Sequence, residues 1–189
     1  MNLRIYKIKK NQLTKKNTKN IYLFLTKNIK NSVFTIFGHD FFLKFLKINH
    51  LHTFYIKKNN NIVSYISYIN RIDENKLKKK LFFFILKNFF FNFVLIILNY
   101  QMFFKMHTPP NDYIQLFHLI VKVNKTEKKI KSILHKKIEH LNQMVSYKKY
   151  KGVYAIYQNN NVIAARYYDK NNFKIFKKNF FYTFVKKKI

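Results

Sequence analysis

The second half of the chain alternates apolar, strand-like runs with an amphipathic helix, and this order constrains the fold most strongly. Lys125–Val145 places apolar side chains on one helical face and Lys, His and Glu on the other. Asp112–Val123 and Gly152–Gln158 are the apolar runs that flank it. A short helix over Asn161–Lys170 and closing strands within Phe173–Val185 complete this half. The alternation predicts a mixed α/β sheet with helices on its faces.

The first half predicts further strands and helices. Met1–Lys9 is predicted to contain a strand, and Ser32–Lys47 carries phenylalanines at helical spacing. β-rich runs on both sides of Lys57–Asn61 predict a hairpin, because consecutive Asn residues tolerate the positive φ of a tight turn. A charged linker is predicted over Asn70–Lys80. With 189 residues, the chain is expected to form a single domain over residues 1–189.

The Phe-rich segment Leu81–Phe104 is long enough to span a membrane, but Lys87, Asn88 and Asn92 interrupt it. We expect a buried or groove-lining helix, which the proline pair at 109–110 ends. Peripheral membrane contact and a true span are the alternatives. No apolar stretch follows the charges of the N-terminus, as a secretory signal would require, and we expect a cytoplasmic protein.

Composition limits the function classes. The chain has 38 Lys+Arg against 7 Asp+Glu and a net charge of +31, which suggests a polyanionic partner such as nucleic acid or anionic lipid. The abundant residue types are those written with A and T codons, so an AT-rich genome explains part of the Lys content. We therefore expect loose, salt-sensitive attraction to nucleic acid or membranes whatever the function. The absence of Cys excludes a cysteine nucleophile and a cysteine-ligated metal site.

The segment Asn161–Phe173, NVIAARYYDKNNF, resembles a signature of the GNAT acyltransferase superfamily, Asn-x-x-Ala-x-x-(Phe/Leu)-Tyr-x-Lys-x-Gly-Phe. The matching residues are Asn161, Ala164, Tyr168, Lys170 and Phe173. Asn172 replaces the glycine that ends the helix, a tolerable change because Asn also adopts the left-handed conformation. The resemblance implies a mostly antiparallel, six- or seven-stranded GNAT-like sheet with helices on both faces. It also implies a helical insertion, 70–111, before the fourth strand, and adjacent strands around Val121 and Ile156.

Leu119–Leu134 resembles the cofactor motif of that family in its strand-then-helix order, but the motif's three glycines are replaced by Glu127, Lys129 and Lys131. Side chains there would crowd the approach of a pyrophosphate, and any left-handed position would cost about 1–2 kcal/mol. Glu127 would also repel the phosphates, whereas the lysines offer point charges. The resemblance implies cofactor binding by backbone groups of Ile120, Val121 and Val123 and by the side chains of Lys128, Lys129, Lys131 and Asn161.

The resemblance places Tyr168 near the sulfur of the cofactor, where its hydroxyl can protonate the departing thiolate. Packing in the core is the alternative for this residue. His118 is the candidate general base, because attack on a thioester needs a deprotonated amine, and a structural role is again the alternative. Asn161 either bonds the pantetheine arm or caps its helix. His135 and His140, five residues apart on a helix, make a poor metal pair, and no metal site is predicted.

The resemblance therefore implies an N-acetyltransferase that uses acetyl-coenzyme A as co-substrate and a small-molecule or peptide amine as acceptor. The alternative is a catalytically degenerate GNAT-like or basic α/β protein that binds RNA, a ribosome or an anionic membrane surface. The broken glycine loop favours that alternative.

Overall fold

The computed structural model describes residues 3–29, 33–88, 112–122, 126–146, 150–180 and 182–188. Helices α1 to α5 of this part are Lys15–Asn28, Val33–Asn49, Arg71–Asn88, Lys128–Ser146 and Val162–Lys170. Strands β1 to β7 are Leu3–Lys7, Thr53–Lys58, Asn61–Ile69, Tyr113–Val121, Gly152–Gln158, Lys174–Lys178 and Tyr182–Lys188.

The strands form one sheet in the order β1-β2-β3-β4-β5-β7-β6. All neighbouring strands are antiparallel except β4 and β5, which are parallel. Apolar side chains of α4 and α5 pack on one face of the sheet, and those of α1, α2 and α3 pack on the other. The predicted mixed sheet with helices on both faces is confirmed, and the strands that contain Val121 and Ile156 are neighbours.

Helix α4 is held by the apolar face that its sequence predicts. The buried side chains are Ile130, Leu134, Ile138, Leu141 and Val145. Burial of such a side chain contributes about 1.5–3 kcal/mol, so this stripe fixes α4 on the sheet. The start of α4 is thereby held beside the end of β4.

The other face is a phenylalanine-rich core built mainly from α2. Its fully buried rings include Phe34, Phe41, Phe42 and Phe45. The predicted helix is interrupted at Gly38, whose φ of 77° and ψ of −177° lie in a region that is open almost only to glycine. The kink separates the short segment that carries Phe34 from the rest of the helix.

The charged linker predicted over Asn70–Lys80 is wrong, because α3 runs through it. The Asn70 side-chain oxygen accepts a hydrogen bond from the Asp73 backbone N–H at 2.8 Å and so caps the helix. Asp73 and Glu74 lie in the first turn, where their negative charges interact favourably with the positive end of the helix dipole and stabilise the helix. Leu77 is buried and holds the helix against the domain.

Helix α3 includes the start of the Phe-rich segment, residues 81–88, and residues 89–111 lie outside the described part of the chain. The predicted packing of Leu81–Phe104 as a whole stays a prediction. None of the described helices combines the length and the apolar character that a membrane crossing requires.

The hairpin predicted around Lys57–Asn61 is confirmed. Strand β2 ends at Lys58 and β3 starts at Asn61, so a two-residue turn joins them. Asn59 in this turn has a φ of 53°, the left-handed conformation that Asn tolerates.

Candidate functional site

Strands β4 and β5 run side by side for only part of their length. Parallel pairing joins Tyr113–Leu116 to Gly152–Ala155 and stops there. Beyond that point β4 continues to Val121 and β5 to Gln158. Within the described residues, the second half of β4 therefore has a neighbour on one side only, and the sheet opens at the carboxyl ends of these two strands.

The opening starts at a β-bulge in β4. Ser67 of β3 lies opposite His118, whereas the next residue, Tyr68, lies opposite Leu116, which leaves Phe117 as an extra residue. A bulge bends its strand and increases the local twist. The bulge at Phe117 therefore explains why β4 turns away from β5 directly after their last pair.

The register identifies the backbone groups that face the opening. The Lys122 backbone N–H donates to the Val63 carbonyl of β3 at 2.9 Å. Since alternate residues of an antiparallel strand direct both backbone groups to the same neighbour, Ile120 also faces β3. Leu119 and Val121 face the opened side. Of the three residues predicted to offer backbone groups to the cofactor, Val121 faces the opened side, Ile120 faces β3, and Val123 lies outside the described residues.

A cavity of about 590 Å³ lies next to this opened edge, between α4 and α5. Side chains from three elements meet there; they include Val121, Lys128, Lys131, Leu134, Tyr167 and Lys170. Lys129, on the same turn of α4, is exposed and is not part of this lining. The structure therefore brings three of the predicted cofactor-binding residues together, adds Tyr167 and Lys170, and leaves Lys129 outside.

The cavity is bordered by the N-terminus of α4. The Lys131 backbone N–H donates to the Glu127 carbonyl at 3.1 Å, so the helical hydrogen bonds begin here. The N–H groups of the first turn have no acceptor within their own helix and give this end a partial positive charge. Together with Lys128 and Lys131, this end of α4 attracts an anion into the cavity.

Glu127, at the start of α4, carries the charge that would oppose an anion. Its carboxylate forms an ion pair with the Lys58 ammonium at the end of β2. Both side chains are partly buried, and the pair neutralises the carboxylate. The repulsion that the sequence predicts for Glu127 is therefore compensated from the hairpin.

The strain predicted for the glycine replacements is absent. Within the described residues, positive φ angles occur only at Asn59, Asn172 and Gly38. Lys129 and Lys131 lie in the regular right-handed turns of α4, where any residue except proline fits. The replacements cost no left-handed conformation, although their side chains still fill space that glycines would leave open.

The residues that match the GNAT signature shape both ends of α5. Asn161 caps its start, since the Asn161 side-chain oxygen accepts from the Ala164 backbone N–H at 3.0 Å. At its end, Asn172 has a φ of 61° and donates to the Asp169 carbonyl. Phe173 donates to the Tyr168 carbonyl at 3.0 Å. These two bonds form a Schellman motif, in which Asn172 takes the left-handed position that glycine usually occupies at the end of a helix.

Tyr168 is a residue of α5, and its ring packs against the part of β5 that has separated from β4. Its ring stacks on Tyr157 at a centroid distance of 5.5 Å and packs edge-on against Phe173 at 5.0 Å. Burial holds the pKa of the Tyr168 hydroxyl well above its usual range. The phenol therefore stays protonated at neutral pH and can donate a hydrogen bond. Tyr167, its neighbour in sequence, lines the cavity instead.

His118 lies on the opened part of β4, under α2. Its Nδ1 is 3.2 Å from the Ser67 hydroxyl oxygen, and its ring is 5.1 Å from that of Phe34. Burial lowers the pKa of His118 to about 3. A general base works best when its pKa is near the working pH, so a His118 with this low pKa is an inefficient general base. Its imidazole can still serve as a hydrogen-bond partner. Asp112 lies at the opposite end of β4, paired with Lys151 at 3.0 Å.

The sequence alone does not identify Leu119, Tyr167 or the Lys58–Glu127 pair as parts of the candidate site. The alternation of backbone groups could have identified Leu119 only with the β3 register known. Tyr167 stands at the (Phe/Leu) position of the signature, which gives a packing role and no sign of exposure to a cavity. The ion pair joins residues 69 positions apart, and no local pattern marks it.

No protein-family model matches the sequence, and no curated protein sequence matches it either. Several solved structures are similar to it in fold. An N-acetyltransferase from Staphylococcus aureus Mu50 is 13% identical, with a TM-score of 0.57 over 97% of this chain and 100% of that one. A GNAT-family acetyltransferase from Bacillus cereus ATCC 10987 is 14% identical, with a TM-score of 0.54 over 100% and 98%. The PaiA N-acetyltransferase from Thermoplasma acidophilum, in complex with coenzyme A, is 12% identical, with a TM-score of 0.51 over 100% of both chains. At these identities the likeness concerns the fold.

Proposed function

We propose that this chain, which has the fold of the GNAT acetyltransferases, transfers an acetyl group from acetyl-coenzyme A to an amine. The observation that carries the proposal is the opened edge of β4, where Leu119 and Val121 direct their backbone groups away from β3, to a side where no strand of the described part of the chain pairs with them. The pantetheine arm contains two amides, and an extended amide chain binds such an edge as an added strand would. The PaiA N-acetyltransferase of similar fold was solved with coenzyme A.

The cavity next to this edge supports the same proposal. Lys128, Lys131 and Lys170 place three positive charges around it, and the N-terminus of α4 adds backbone N–H groups. These groups would hold the phosphates of coenzyme A chiefly through point charges, since the glycines that allow close backbone approach are replaced. Because the Lys58 ammonium neutralises the Glu127 carboxylate, the net charge around the cavity stays positive.

In the proposed reaction, the amine nitrogen attacks the thioester carbonyl carbon. A carbon–nitrogen bond forms, the carbon–sulfur bond breaks, and coenzyme A leaves as a thiolate that takes up a proton while the amine loses one. Tyr168 stays protonated at neutral pH, which is the form that donates a hydrogen bond to the thiolate. We assign it to this step and assign Tyr157 and Phe173, which fix its ring, to its positioning.

His118 faces the α2 side of the sheet, opposite the cavity, and is the candidate group on the acceptor side. Its low pKa suits acceptance of a hydrogen bond from the incoming amine more than removal of a proton. We therefore propose that the acceptor enters in its neutral form. The predicted contribution of the insertion 70–111 to the acceptor site stays a prediction.

Calorimetric titration with acetyl-coenzyme A at moderate salt tests the proposal. Lys131→Gln should weaken binding about fivefold, since a unit charge 4 Å from a phosphate is worth about 1 kcal/mol in a water-like dielectric. Lys129→Gln is the matched control on the same turn of α4 and should weaken binding clearly less, by about twofold at most, because Lys129 does not line the cavity and its attraction acts through screening solvent. A polyanion titration measures the nonspecific attraction. Absence of acetyl-coenzyme A binding in the wild type would refute the proposal.

The second candidate function is a non-catalytic basic protein that binds RNA, a ribosome or an anionic membrane. The specific observation that favours it is the replacement of all three motif glycines, by Glu127, Lys129 and Lys131, in a chain with a net charge of +31. Acetyl transfer to any amine in the presence of the wild-type protein would exclude it.

A further inference from the structure

A second groove lies on the other face of the sheet, between α1 and β2. It consists of two adjoining cavities of about 400 and 240 Å³ that share Asn17, Ile21 and Tyr55 in their walls. The groove runs from Gln12, before α1, to the β2–β3 turn at Asn60. The described residues that line it are all different from those of the proposed acyl-transfer site.

Carboxamides dominate the polar lining of this groove. The residues are Gln12, Asn17, Asn20, Asn60 and Asn61. Each carboxamide provides two N–H donors and a carbonyl acceptor, which are the groups that pair with the edges of nucleobases. A row of such groups along an elongated groove can contact a polar chain at several points.

One bank of the groove carries Tyr55, whose ring stacks on that of Tyr6 on the neighbouring strand β1, next to the lining. The rings of Tyr6 and Tyr55 lie 5.2 Å apart with an interplanar angle of 9°. The Lys57 ammonium lies 5.3 Å from the Tyr6 centroid and 5.7 Å from the Tyr55 centroid. Arg4 is exposed and lies opposite Lys57 in the strand register. The bank thus combines aromatic rings with two cations at its rim.

The charge around this groove is predominantly positive. Residues 1–70 contain 13 Lys and Arg and a single acid, Asp40. The Asp40 carboxylate is held by Lys15 at 2.8 Å. Among the described residues that line the groove, none is acidic. The excess of positive charge here attracts a polyanion.

We propose that this groove binds a single strand of nucleic acid, with bases against the tyrosines and carboxamides and phosphates near Arg4 and Lys57. Aromatic platforms flanked by cations are how proteins bind single strands, because every base has a face that stacks on a ring. Stacking needs unpaired bases, which excludes a duplex as the main ligand. A groove rich in carboxamides offers little to acyl chains, so a membrane fits less well. This second activity does not depend on acyl transfer.

Fluorescence anisotropy with a labelled oligouridylate of about ten nucleotides tests the proposal on the full chain. Tyr6→Ala should weaken binding about tenfold, in line with the loss of one stacked base, and Tyr6→Phe should bind as the wild type does because it keeps the ring. Lys57→Gln should weaken binding and reduce the salt slope by about 0.7, the value for one phosphate of a single strand. Lys174→Gln removes the same charge from β6 at the far edge of the sheet and is the control.

Equal losses for Lys57→Gln and Lys174→Gln, with none for Tyr6→Ala, would overturn the proposal and show attraction by net charge alone. Binding to phosphatidylserine vesicles without binding to the oligouridylate would overturn it in favour of a membrane. Circular dichroism of each variant excludes unfolding as the cause of a loss. Acetyl-coenzyme A titration of the same variants should be unchanged, so failure of this proposal is distinguishable from failure of the proposed transferase activity.

Discussion

The ion pair between Lys58 and Glu127 makes the charge at the start of α4, where we propose that coenzyme A binds, adjustable by single substitutions. Glu127 lies at the start of α4 beside the cavity, and Lys58 reaches it from the hairpin. Lys58→Gln leaves the carboxylate uncompensated, so coenzyme A should bind more weakly. Glu127→Gln leaves the ammonium uncompensated, so coenzyme A should bind more tightly. The double variant restores local neutrality and should bind as the wild type does.

The size of the effect follows from the exposure of the pair. The side chains of Lys58 and Glu127 are 29% and 26% exposed, so solvent screens them substantially. A unit charge about 8 Å from a phosphate at an effective dielectric of about 40–80 contributes about 0.5–1 kcal/mol, which is about two- to fivefold in affinity. The shifts should shrink as salt is added, because exposed charges are screened within about 10 Å at 0.1 M.

Calorimetry of the four proteins with coenzyme A at low and moderate salt measures these shifts. Opposite shifts in the single variants, with cancellation in the double variant, are the expected result. Shifts of the same sign, or no shift in either single variant, would show that no phosphate binds beside the start of α4.

Three further substitutions test the chemistry and the fold. Tyr168→Phe keeps the stacking on Tyr157, so it should lower kcat by about 10²–10⁴-fold with little change in cofactor affinity; unaltered kcat would remove its assigned role. Gly152→Ala places a Cβ 2.2 Å from the Lys187 carbonyl oxygen, which should destabilise the protein by about 1–3 kcal/mol and lower Tm by about 2–12 °C. An unchanged Tm would contradict that close approach. Burial lowers the pKa of His118 from its ordinary 6.5 to about 3 in the native state, so its contribution to stability is present above pH 6.5 and lost as the pH falls towards 3. The free energy of unfolding of His118→Asn should therefore fall less steeply below pH 6.5 in urea titrations, and parallel slopes would contradict the pKa.

The regular elements of the second half are predictable because their patterns are local. The apolar stripe from Ile130 to Val145 identifies α4, and the run Gly152–Gln158 coincides with β5. Asn161 and Asn172 mark the two ends of α5. The Asn161 side chain caps the start of the helix, and the positive φ of Asn172 ends it, so each signal depends on one residue. Such signals need no knowledge of the rest of the chain.

Helix α3 escapes such patterns. Its first half is a run of charges with one buried apolar residue, Leu77, and its stability depends on the Asn70 cap and on tertiary contact. A charged run of this kind resembles a linker until its partner surface is known. Tertiary packing outweighs local propensity in such a segment.

The features that create the candidate site depend on pairing between distant residues. The bulge at Phe117 exists only relative to the register of β3, and the direction of the Leu119 backbone follows from the same register. Compensation of Glu127 by Lys58 likewise requires the hairpin and α4 to meet. The sequence therefore predicts which segments surround the candidate site, whereas the groups that face the opening are identified only by the three-dimensional structure.

Hydrogen exchange of the β4 amides tests the central claim, that the opened edge of this strand binds the pantetheine arm. Without ligand, the amides of His118 and Ile120 should exchange slowly because they face β3, and those of Leu119 and Val121 should exchange fast. Saturating acetyl-coenzyme A should slow exchange at Leu119 and Val121 while the other two stay as they were. Unchanged exchange at Leu119 and Val121 at saturation would contradict binding at this edge.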